Sequence, residues 1–401
     1  MSRVHFDVLV VGGGPVGWAC ALAARQGLGA TARVGVLERS ALPPEAPADA
    51  PPAARVYTVA VGNLRALAEA GVRIRDERAA EVTAMRVFGR DGAVALDVSA
   101  DDGGDDILAR VIEHDALTHA IARAAMAQGV TLRIGVATEL HDGEGAARKL
   151  VELADRTLLD ARVVLIADGA GSTLRAAAGL DARHHAYPQC GVVANFTLRE
   201  AHRGTAHQWF LADGSILALL PLPEVRGEPA VSMVWSCPPT QAQALCAMSD
   251  AALVAAVRAA SADALSLCAV VGGARSFPLQ LLRLPDPVGA RVLAVGDAAH
   301  AMHPLAGQGV NVGLADARTL RDLWRDDAPR VGGDAGHPLL LGRYRRQRYA
   351  PTVAMQLATD GLFRLYNATE HPLLMAAGDA GMRLFGQLPA FRRMLLSAAM
   401  Q

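Results

Sequence analysis

Three glycines near the start of the chain have the spacing of a turn that binds nucleotide phosphates. Gly12, Gly14 and Gly17 follow an apolar run at residues 8–11 and precede a helix-compatible run. The first glycine allows a tight turn, the second lets a pyrophosphate approach the backbone, and the third lets the helix pack on the sheet. The helix N-terminus then offers free N–H groups and partial positive charge to phosphate oxygens. This spacing predicts a site for an adenine dinucleotide.

A second strand completes the predicted βαβ unit. The apolar run at residues 34–37 ends at Glu38, where an acid would accept hydrogen bonds from the adenosine ribose hydroxyls. Pro15, inside the glycine turn, and Arg39, directly after the acid, are included as candidate cofactor-binding residues. The alternative is an ordinary strand-to-helix turn in which the glycines serve packing alone.

Two later strand ends could contribute to the same site. An apolar strand at residues 163–166 leads into Asp168 and a turn, with Ser172 placed to cap the next helix. A further strand at residues 292–295 leads to Asp297, where an acid could hold a polyol hydroxyl. By itself, the first of these patterns could equally be a capped strand-to-helix turn.

A glycine-rich helix start follows the last of these strands. Beyond Pro304, Gly307 and Gly309 open a helix predicted from about residue 310 to 324. Glycines at a helix start allow a flat ring to lie against the backbone, and the helix N–H groups stabilise negative charge on that ring. His300 and His303 lack the nearby acids or cysteines that a metal site needs, so no metal is expected.

Composition excludes several classes of function. The 401 residues carry a net charge of −1, which gives no reason to expect a nucleic-acid partner. No apolar run reaches the ~20 residues of a membrane span, and the N-terminus lacks the layout of a signal peptide. The five cysteines are scattered, which favours reduced thiols in a cytoplasmic protein.

The strand and helix patterns predict an α/β protein with an interleaved second domain. Residues 187–280 contain alternating runs separated by turns, as expected for a mostly antiparallel sheet. We expect a discontinuous Rossmann-like nucleotide-binding domain, a substrate domain and C-terminal helices, with these bounds: 1–80, 105–185 and 281–340; 81–104 and 186–280; 341–401. Aromatic residues of the substrate domain either line a ligand pocket or form ordinary core: Phe196, Trp209, Phe210 and Trp235.

The residues before the second predicted helix allow more than one interpretation. The proline-rich residues 40–55 predict a loop, and residues 58–69 predict a helix. Arg55, at their junction, either meets the nucleotide or faces solvent. The C-terminal residues are basic and amphipathic, which is typical of helices packed on the body, of a subunit interface or of a membrane surface.

Three separated segments together resemble a known family. GGGPVG at 12–17, DG at 168–169 and GDAAHAMHPLAGQGVN at 296–311 resemble the single-component FAD-dependent aromatic hydroxylases, the para-hydroxybenzoate hydroxylase superfamily. The HPLAGQG core, with segments 208–222 and 358–366, is similar to the ubiquinone-biosynthesis hydroxylases of the UbiH/VisC branch. The chain departs from the family before and after Arg55, at four positions: Ala53, Thr58, Ala60 and Asn63.

The resemblance implies a function and a set of cofactor contacts. In this family NAD(P)H reduces FAD, and the reduced flavin and O2 hydroxylate an electron-rich aromatic ring, here a polyprenylated phenol. The flavin carries the chemistry, so no catalytic side chain is nominated. The resemblance implies that these residues bind FAD: Gly12, Gly14, Gly17, Glu38, Arg55, Asp297, Pro304, Gly307, Gly309, Val310 and Asn311. Pro15, Arg39 and Asp168 are further candidates from their positions in the sequence.

Alternatives to this function stay open at this stage. They are a hydroxylase of a small soluble aromatic acid, a flavin-dependent reductase or dehydrogenase of an isoprenoid, and a non-catalytic FAD-bound scaffold. Contact with the inner face of the membrane, membership of a ubiquinone-biosynthesis assembly and a homo-oligomer are also compatible with the sequence.

Overall fold

The structure is a computed structural model that describes residues 4–47, 49–144, 147–304 and 308–367. Its strands are β1 Val4–Val11, β2 Val34–Glu38, β3 Val56–Ala60, β4 Ala79–Val82, β5 Ala84–Phe88, β6 Val94–Ser99, β7 Ala109–Glu113, β8 Thr131–Ile134, β9 Ala137–Asp142, β10 Lys149–Leu153, β11 Leu158–Ile166, β12 Arg183–Leu198, β13 Thr205–Phe210, β14 Ile216–Val225, β15 Glu228–Cys237, β16 Leu267–Arg283, β17 Val288–Gly289 and β18 Val292–Ala294. Its helices are α1 Pro15–Leu28, α2 Val61–Glu69, α3 His114–Ala127, α4 Thr173–Ala177, α5 Pro239–Ala247, α6 Asp250–Ala260, α7 Asp297–His300, α8 Gln308–Asp327 and α9 Pro338–Asn367.

The large sheet contains the strands of all three sequence motifs. Its order is β17-β18-β11-β1-β2-β8, with β10 and β9 branching from β11. The strands from β18 to β8 pair in parallel. Because both faces of this sheet are covered, its strands are continuously apolar, as the short runs in the sequence indicate.

Alternate residues of β1 enter two separate cores. Val8 and Val10 pack with α1, α3 and α8 on one face, where Trp18 and Trp324 are fully buried. Leu9 packs on the opposite face with side chains from β10, β16 and α7. Many side chains of α1 are alanines, which allows α1 and the large sheet to approach closely.

The seven-stranded sheet forms the second layer, with the order β16-β12-β15-β14-β13-β5-β6. Pairing is antiparallel throughout except between β13 and β5, so the prediction of a mostly antiparallel sheet is confirmed. One face packs under α5 and α6, and it carries three of the four aromatic residues considered for a pocket, Phe196, Trp209 and Trp235. These three are core residues, and Phe210 alone lies on the other face, against α9.

One predicted element boundary was wrong. The sequence predicts a helix from residue 58, whereas residues Val56–Ala60 form β3 and the helix begins at Val61. β3 pairs with β7 in a three-stranded sheet, β3-β7-β4. The β-branched residues of this segment favour a strand. Its partner β7 is about 50 residues further along the chain, so a local sequence pattern does not reveal the pairing.

A long helix ends the described chain. α9 packs on α8 and binds the loop after α7, and a 2.7 Å hydrogen bond from Arg283 to Gln356 ties it to β16. Residues 368–401, the rest of the predicted C-terminal helices, lie outside the described residues. No helix in the described part of the chain is both long and apolar enough to span a bilayer. The α/β fold class is confirmed, and the domain bounds stay a prediction.

Candidate functional site

The three motifs converge because their strands end at one edge of the large sheet. Val11, the last residue of β1, is in register with Ile166 on one side and Leu37 on the other. Ile166 is in turn in register with Ala294 of β18. Since these strands are parallel, the residues that follow each of them emerge at the same edge.

The glycine turn has a tight side and an open side. Gly12 has φ +111°, and an added Cβ there would lie 2.4 Å from the Ala167 carbonyl oxygen. A Cβ on Gly17 would lie 1.9 Å from the Gly12 carbonyl oxygen. Nothing lies within 4 Å of a Cβ added to Gly14, and α1 has no side-chain cap. The turn is therefore closed where protein packs on protein and open where a phosphate would approach.

The acid at the end of β2 folds back onto this turn. The Glu38 carboxylate accepts a 2.5 Å hydrogen bond from the Gly13 N–H and a 2.8 Å hydrogen bond from the Arg39 N–H. The Arg39 side chain is exposed, and its Nε lies 3.8 Å from Glu38. Pro15 occupies the first turn of α1, where the missing N–H has no cost.

The end of β11 carries an acid with an unpaired oxygen. Asp168 Oδ1 is buried and has no hydrogen-bond partner among the described residues. Burial raises the pKa of Asp168, while Ser172 and Arg175 act to lower it. The buried Arg175 donates to the carbonyl oxygens of Ala170 at 3.2 Å and Ala298 at 3.0 Å, which joins the turn after β11 to α7.

Asp297 and Arg55 lie around the same tyrosine. The Tyr57 hydroxyl is 3.0 Å from His114 Nδ1, and the Arg55 guanidinium lies 5.2 Å from the centre of the Tyr57 ring. Burial raises the pKa of Tyr57 to about 12, with Arg55 opposing the shift and Asp297 adding to it. Asp297 is exposed, and its Oδ1 is 3.8 Å from the position of a Cβ on Gly309, so the end of β18 meets the start of α8.

Asn311 uses its side chain to hold a neighbouring segment. Its Oδ1 accepts from the Ala60 N–H at 2.9 Å and from Asn63 Nδ2 at 3.0 Å, and its Nδ2 donates to the Thr58 carbonyl oxygen at 2.8 Å. The first turn of α8 is thereby tied to β3 and α2. The sequence predicts that Asn311 faces the flavin, and the described contacts commit its side chain to the protein.

The remaining residues of the third motif lie beside this turn. Val310 is buried, whereas Pro304 and Gly309 are half-buried. Gly307 lies outside the described residues.

A buried network of charged side chains holds the residues that follow β18. Asp316 is fully buried, and it accepts from the Gly296 N–H at 3.0 Å, contacts His300 Nε2 at 2.7 Å and pairs with Arg348 Nε at 2.7 Å. Burial alone would raise the pKa of Asp316, but His300 and Arg348 hold it well below its ordinary value. His300, a candidate metal ligand in the sequence, thus contacts the Asp316 carboxylate.

The proline-rich loop is held by buried polar groups. Arg78 and Glu113 form an interior ion pair of 3.0 Å, and Glu113 also accepts from the Ala53 N–H at 2.9 Å. Arg78 donates to the Ala50 carbonyl oxygen at 3.0 Å, and Asn195 Nδ2 to the Ala53 carbonyl oxygen at 3.2 Å. The loop that leads to Arg55 is therefore attached to the seven-stranded sheet.

Sequence reasoning missed most of these supporting residues. Arg78, Glu113 and Asp316 lie outside recognisable motifs, and polar residues in a helix or strand are usually exposed. Arg175 was seen only as part of a turn pattern. An acid such as Asp316 within the otherwise apolar face of α8 is the one signal that could have indicated a buried network.

Comparison with a family model decides the family. The model of the FAD binding domain family matches residues 5–356. The chain belongs to this FAD-binding family. The match spans the glycine turn, both later strand ends and the start of α8.

Two relatives that match most of the chain have names that refer to ubiquinone. The chain is 30% identical to the ubiquinone hydroxylase UbiL of Rhodospirillum rubrum, over 98% of this chain and 89% of the relative. It is 29% identical to the mitochondrial ubiquinone biosynthesis monooxygenase COQ6 of Xenopus tropicalis, over 92% of this chain and 88% of that protein. The prediction of an FAD-dependent monooxygenase is confirmed.

Solved structures share the fold of this FAD-binding family member. Pseudomonas aeruginosa PqsL in complex with 2-aminobenzoylacetate superposes with a TM-score of 0.75 at 22% identity, covering 94% of this chain and 99% of PqsL. The p-nitrophenol 4-monooxygenase PnpA of Pseudomonas putida also gives a TM-score of 0.75, at 20% identity, covering 100% of this chain and 99% of PnpA. At these identities the likeness concerns the fold alone.

Proposed function

We propose that this chain hydroxylates the aromatic ring of a polyprenylated phenol in ubiquinone biosynthesis, using FAD, NAD(P)H and O2. The observation that carries the proposal is the near full-length similarity to a ubiquinone hydroxylase, in a chain whose three motifs meet at one sheet edge. FAD would supply the reduction of O2 and the delivery of one oxygen atom to the ring. The protein residues bind, orient and exclude water.

The residues at the sheet edge fit the phosphate and ribose half of FAD. Gly14 leaves open space at the N-terminus of α1, so a pyrophosphate would lie against the backbone there. Glu38, with Arg39 beside it, would turn from the Gly13 N–H to the adenosine ribose hydroxyls. The unpaired Asp168 Oδ1 indicates that a polar partner is missing on this side of the site.

The residues at the start of α8 fit the ribityl and ring half. Asp297 would hold a ribityl hydroxyl, since it is exposed and lies beside Gly309. Gly309 and Val310 would lie along the ring, where the N-terminus of a 20-residue helix favours the negative charge of the reduced pyrimidine. Pro304 would line the reaction side, and the Arg55 guanidinium lies over the nearby Tyr57 ring.

The seven-stranded sheet favours an uncharged aromatic substrate over an aromatic acid. The segments 189–197, 206–210, 216–222 and 230–236 of the inner strands contain no lysine or arginine, and Arg275 of the edge strand β16, in register with Val193, is exposed. An aromatic carboxylate buried against this sheet would need such a cation. The face away from α5 and α6 carries the buried polar residues Asn195 and Ser232, directly opposite each other, which suit the neutral oxygens of a phenol ring.

A surface of α9 supports the further proposal of peripheral membrane contact. Leu339, Tyr349 and Leu357 expose 63%, 50% and 56% of their surface, with Arg346 among them and Arg343 paired with Asp327. Exposed apolar side chains with an arginine among them suit the interface of an anionic bilayer, where a prenylated substrate would reside. Binding to anionic rather than neutral vesicles, weakened by Leu357→Glu, would support this location for a cytoplasmic protein.

The decisive experiment combines genetics with the purified protein. Deletion of the gene in its host should lead to accumulation of a quinone precursor lacking one hydroxyl, identified by mass. The purified protein should contain FAD, and Asp297→Ala should yield flavin-poor protein. An unchanged quinone profile, or a protein that takes up no flavin, would refute the proposal.

Oxygen consumption separates the remaining rivals. A reductase or dehydrogenase of an isoprenoid would oxidise NAD(P)H with substrate and without stoichiometric O2 uptake. A scaffold would leave its bound FAD oxidised when NAD(P)H and substrate are added. We expect substrate-dependent oxidation of NAD(P)H with equal O2 uptake.

A further inference from the structure

His303 is a buried histidine whose ring nitrogens make no hydrogen bond to the described residues. Its imidazole is 1% exposed and lies edge-on to the Tyr187 ring, with ring centres 5.2 Å apart. The Phe363 ring centre lies 5.0 Å from the imidazole and 4.6 Å from the Tyr187 ring, so the three rings form one cluster. Neither ring nitrogen has a hydrogen-bond partner among the residues that the structure describes.

Two unpaired nitrogens in an apolar setting are costly. A neutral imidazole carries one donor and one acceptor, and each buried group left unpaired forfeits the hydrogen bond that water would have made. Three residues earlier, His300 lies in the same turn and uses Nε2 on Asp316 at 2.7 Å. His300 thus has one nitrogen fixed by the protein and an unpaired Nδ1, whereas both nitrogens of His303 lack a partner among the described residues.

The polar groups near His303 are already committed to one another. The Tyr187 hydroxyl donates to Asp360 Oδ1 at 3.1 Å, and Asp360 Oδ2 accepts from Arg364 Nε at 2.9 Å. The nearest hydroxyl and carboxylate therefore satisfy each other. Since the described residues offer His303 no partner, a molecule that enters beside the ring would supply one.

The position of His303 indicates what that molecule is. It directly precedes Pro304, and Tyr187 belongs to β12 of the seven-stranded sheet, so His303 lies where the α7–α8 turn meets that sheet. On the proposed function, which this step assumes, the aromatic substrate occupies the same junction. We propose that His303 binds the ring hydroxyl of the aromatic substrate through an imidazole nitrogen and thereby selects and orients phenols.

The imidazole acts as a neutral hydrogen-bonding group. Burial lowers the pKa of His303 to about 4. A phenol has an ordinary pKa near ~10, so transfer of its proton to this imidazole is unfavourable by about six pKa units. His303 therefore holds the hydroxyl in place, and it does not act as the base that ionises it.

The test compares two ligands that differ in one group. The probes are 2-prenylphenol and 2-prenyltoluene, in which a methyl replaces the hydroxyl. Binding to oxidised FAD-loaded protein is measured by the change in flavin absorbance, without NAD(P)H. The wild type should bind the phenol about 10–100-fold more tightly, because the toluene leaves the nitrogen unpaired.

Three variants separate the contact from general packing. His303→Phe should reduce the preference to within about 3-fold, and His303→Asn, which retains a donor and an acceptor, should keep a measurable part of it. The control is His207→Phe. His207 is also buried with an unpaired Nδ1, but it stacks on Trp209 beneath α5 and α6, so its variant should retain the full preference.

Several results would overturn the assignment. They are an undiminished preference in His303→Phe, no preference in the wild type, or loss of flavin from both His303 variants but not from the control. The last result would show that His303 supports the fold. If His303→Phe loses the preference but the wild type makes no hydroxylated product, the contact stands and the proposed function fails.

Discussion

Asn63 and Asn311 meet in the protein interior, where Asn63 Nδ2 donates a 3.0 Å hydrogen bond to Asn311 Oδ1. The two residues are separated by 248 positions and join α2 to the first turn of α8. Because Asn311 also binds both the Ala60 N–H and the Thr58 carbonyl oxygen, one side chain fixes the segment that carries Arg55 and Tyr57 to the proposed flavin-facing helix.

Replacement of this side chain should destabilise the protein. Asn311→Ala leaves buried backbone and amide groups without partners, so we expect a loss of about 3 kcal/mol in the free energy of unfolding, with reduced flavin content. Urea unfolding and the flavin-to-protein absorbance ratio measure both. Thr319→Ala, on the same helix, removes only a local bond to the Ala315 carbonyl oxygen and should cost less than about 1 kcal/mol. Equal stability of the two variants would contradict the role of Asn311.

The glycine turn allows cofactor binding and folding to be separated. Gly17→Ala places a methyl 1.9 Å from the Gly12 carbonyl oxygen, so we expect a loss of several kcal/mol, about 3 or more, in stability. Gly14→Ala places its methyl in open space, so the apoprotein should lose no more than the roughly 1 kcal/mol that alanine costs at an N-cap. We expect FAD affinity to fall at least about 10-fold in Gly14→Ala, since the methyl occupies the approach of the pyrophosphate. Full flavin content in that variant would argue against this binding mode.

The buried network around Asp316 should make stability depend on acidity. Asp316→Asn leaves the Arg348 charge without its buried partner, and we expect a cost of about 3–5 kcal/mol at pH 7. Because the folded pKa of Asp316 is depressed, its contribution is complete above the unfolded pKa near ~4 and declines as the pH falls further. The stability gap between wild type and variant should therefore narrow below about pH 4.

The matched control for this network is a carboxylate at the surface of the same helix. Asp322 pairs with the partly exposed Arg321 at 3.1 Å, so Asp322→Asn should cost no more than about 1 kcal/mol. Urea unfolding at several pH values compares the two variants with the wild type. A pH-independent gap for Asp316→Asn would contradict the network.

Because His303 is buried as a neutral group, the stability of the protein should also fall with pH in the acid range. The folded pKa is about 4, below the unfolded value of 6.5, so between these values the unfolded chain binds more protons. The contribution of the neutral imidazole to the free energy of unfolding is complete above pH 6.5. It falls as the pH drops towards 4, by about 3 kcal/mol in total. His303→Asn removes this dependence, so its stability relative to the wild type should improve between pH 7.5 and 4.5. Parallel pH curves for the two proteins would show that the imidazole is not buried as a neutral group.

The sequence by itself determined the nucleotide-binding unit and the order of the motifs. Gly12, Gly17 and Glu38 could be interpreted locally because a strand, a tight turn and a helix in succession impose residue types at fixed spacing. The antiparallel second sheet was likewise visible in its alternating runs. These features depend on neighbours a few residues apart, which a linear pattern records.

Only the tertiary structure decided which side chains meet across the chain. Asn311 contacts residues about 250 positions away, β3 replaces the expected start of a helix because β7 pairs with it, and Trp209 turns towards α5 and α6. The buried partners of Asp316 and the unpaired nitrogens of His303 are invisible in the sequence for the same reason. Burial and pairing depend on the packing of distant elements, and packing sets the cost of each polar group.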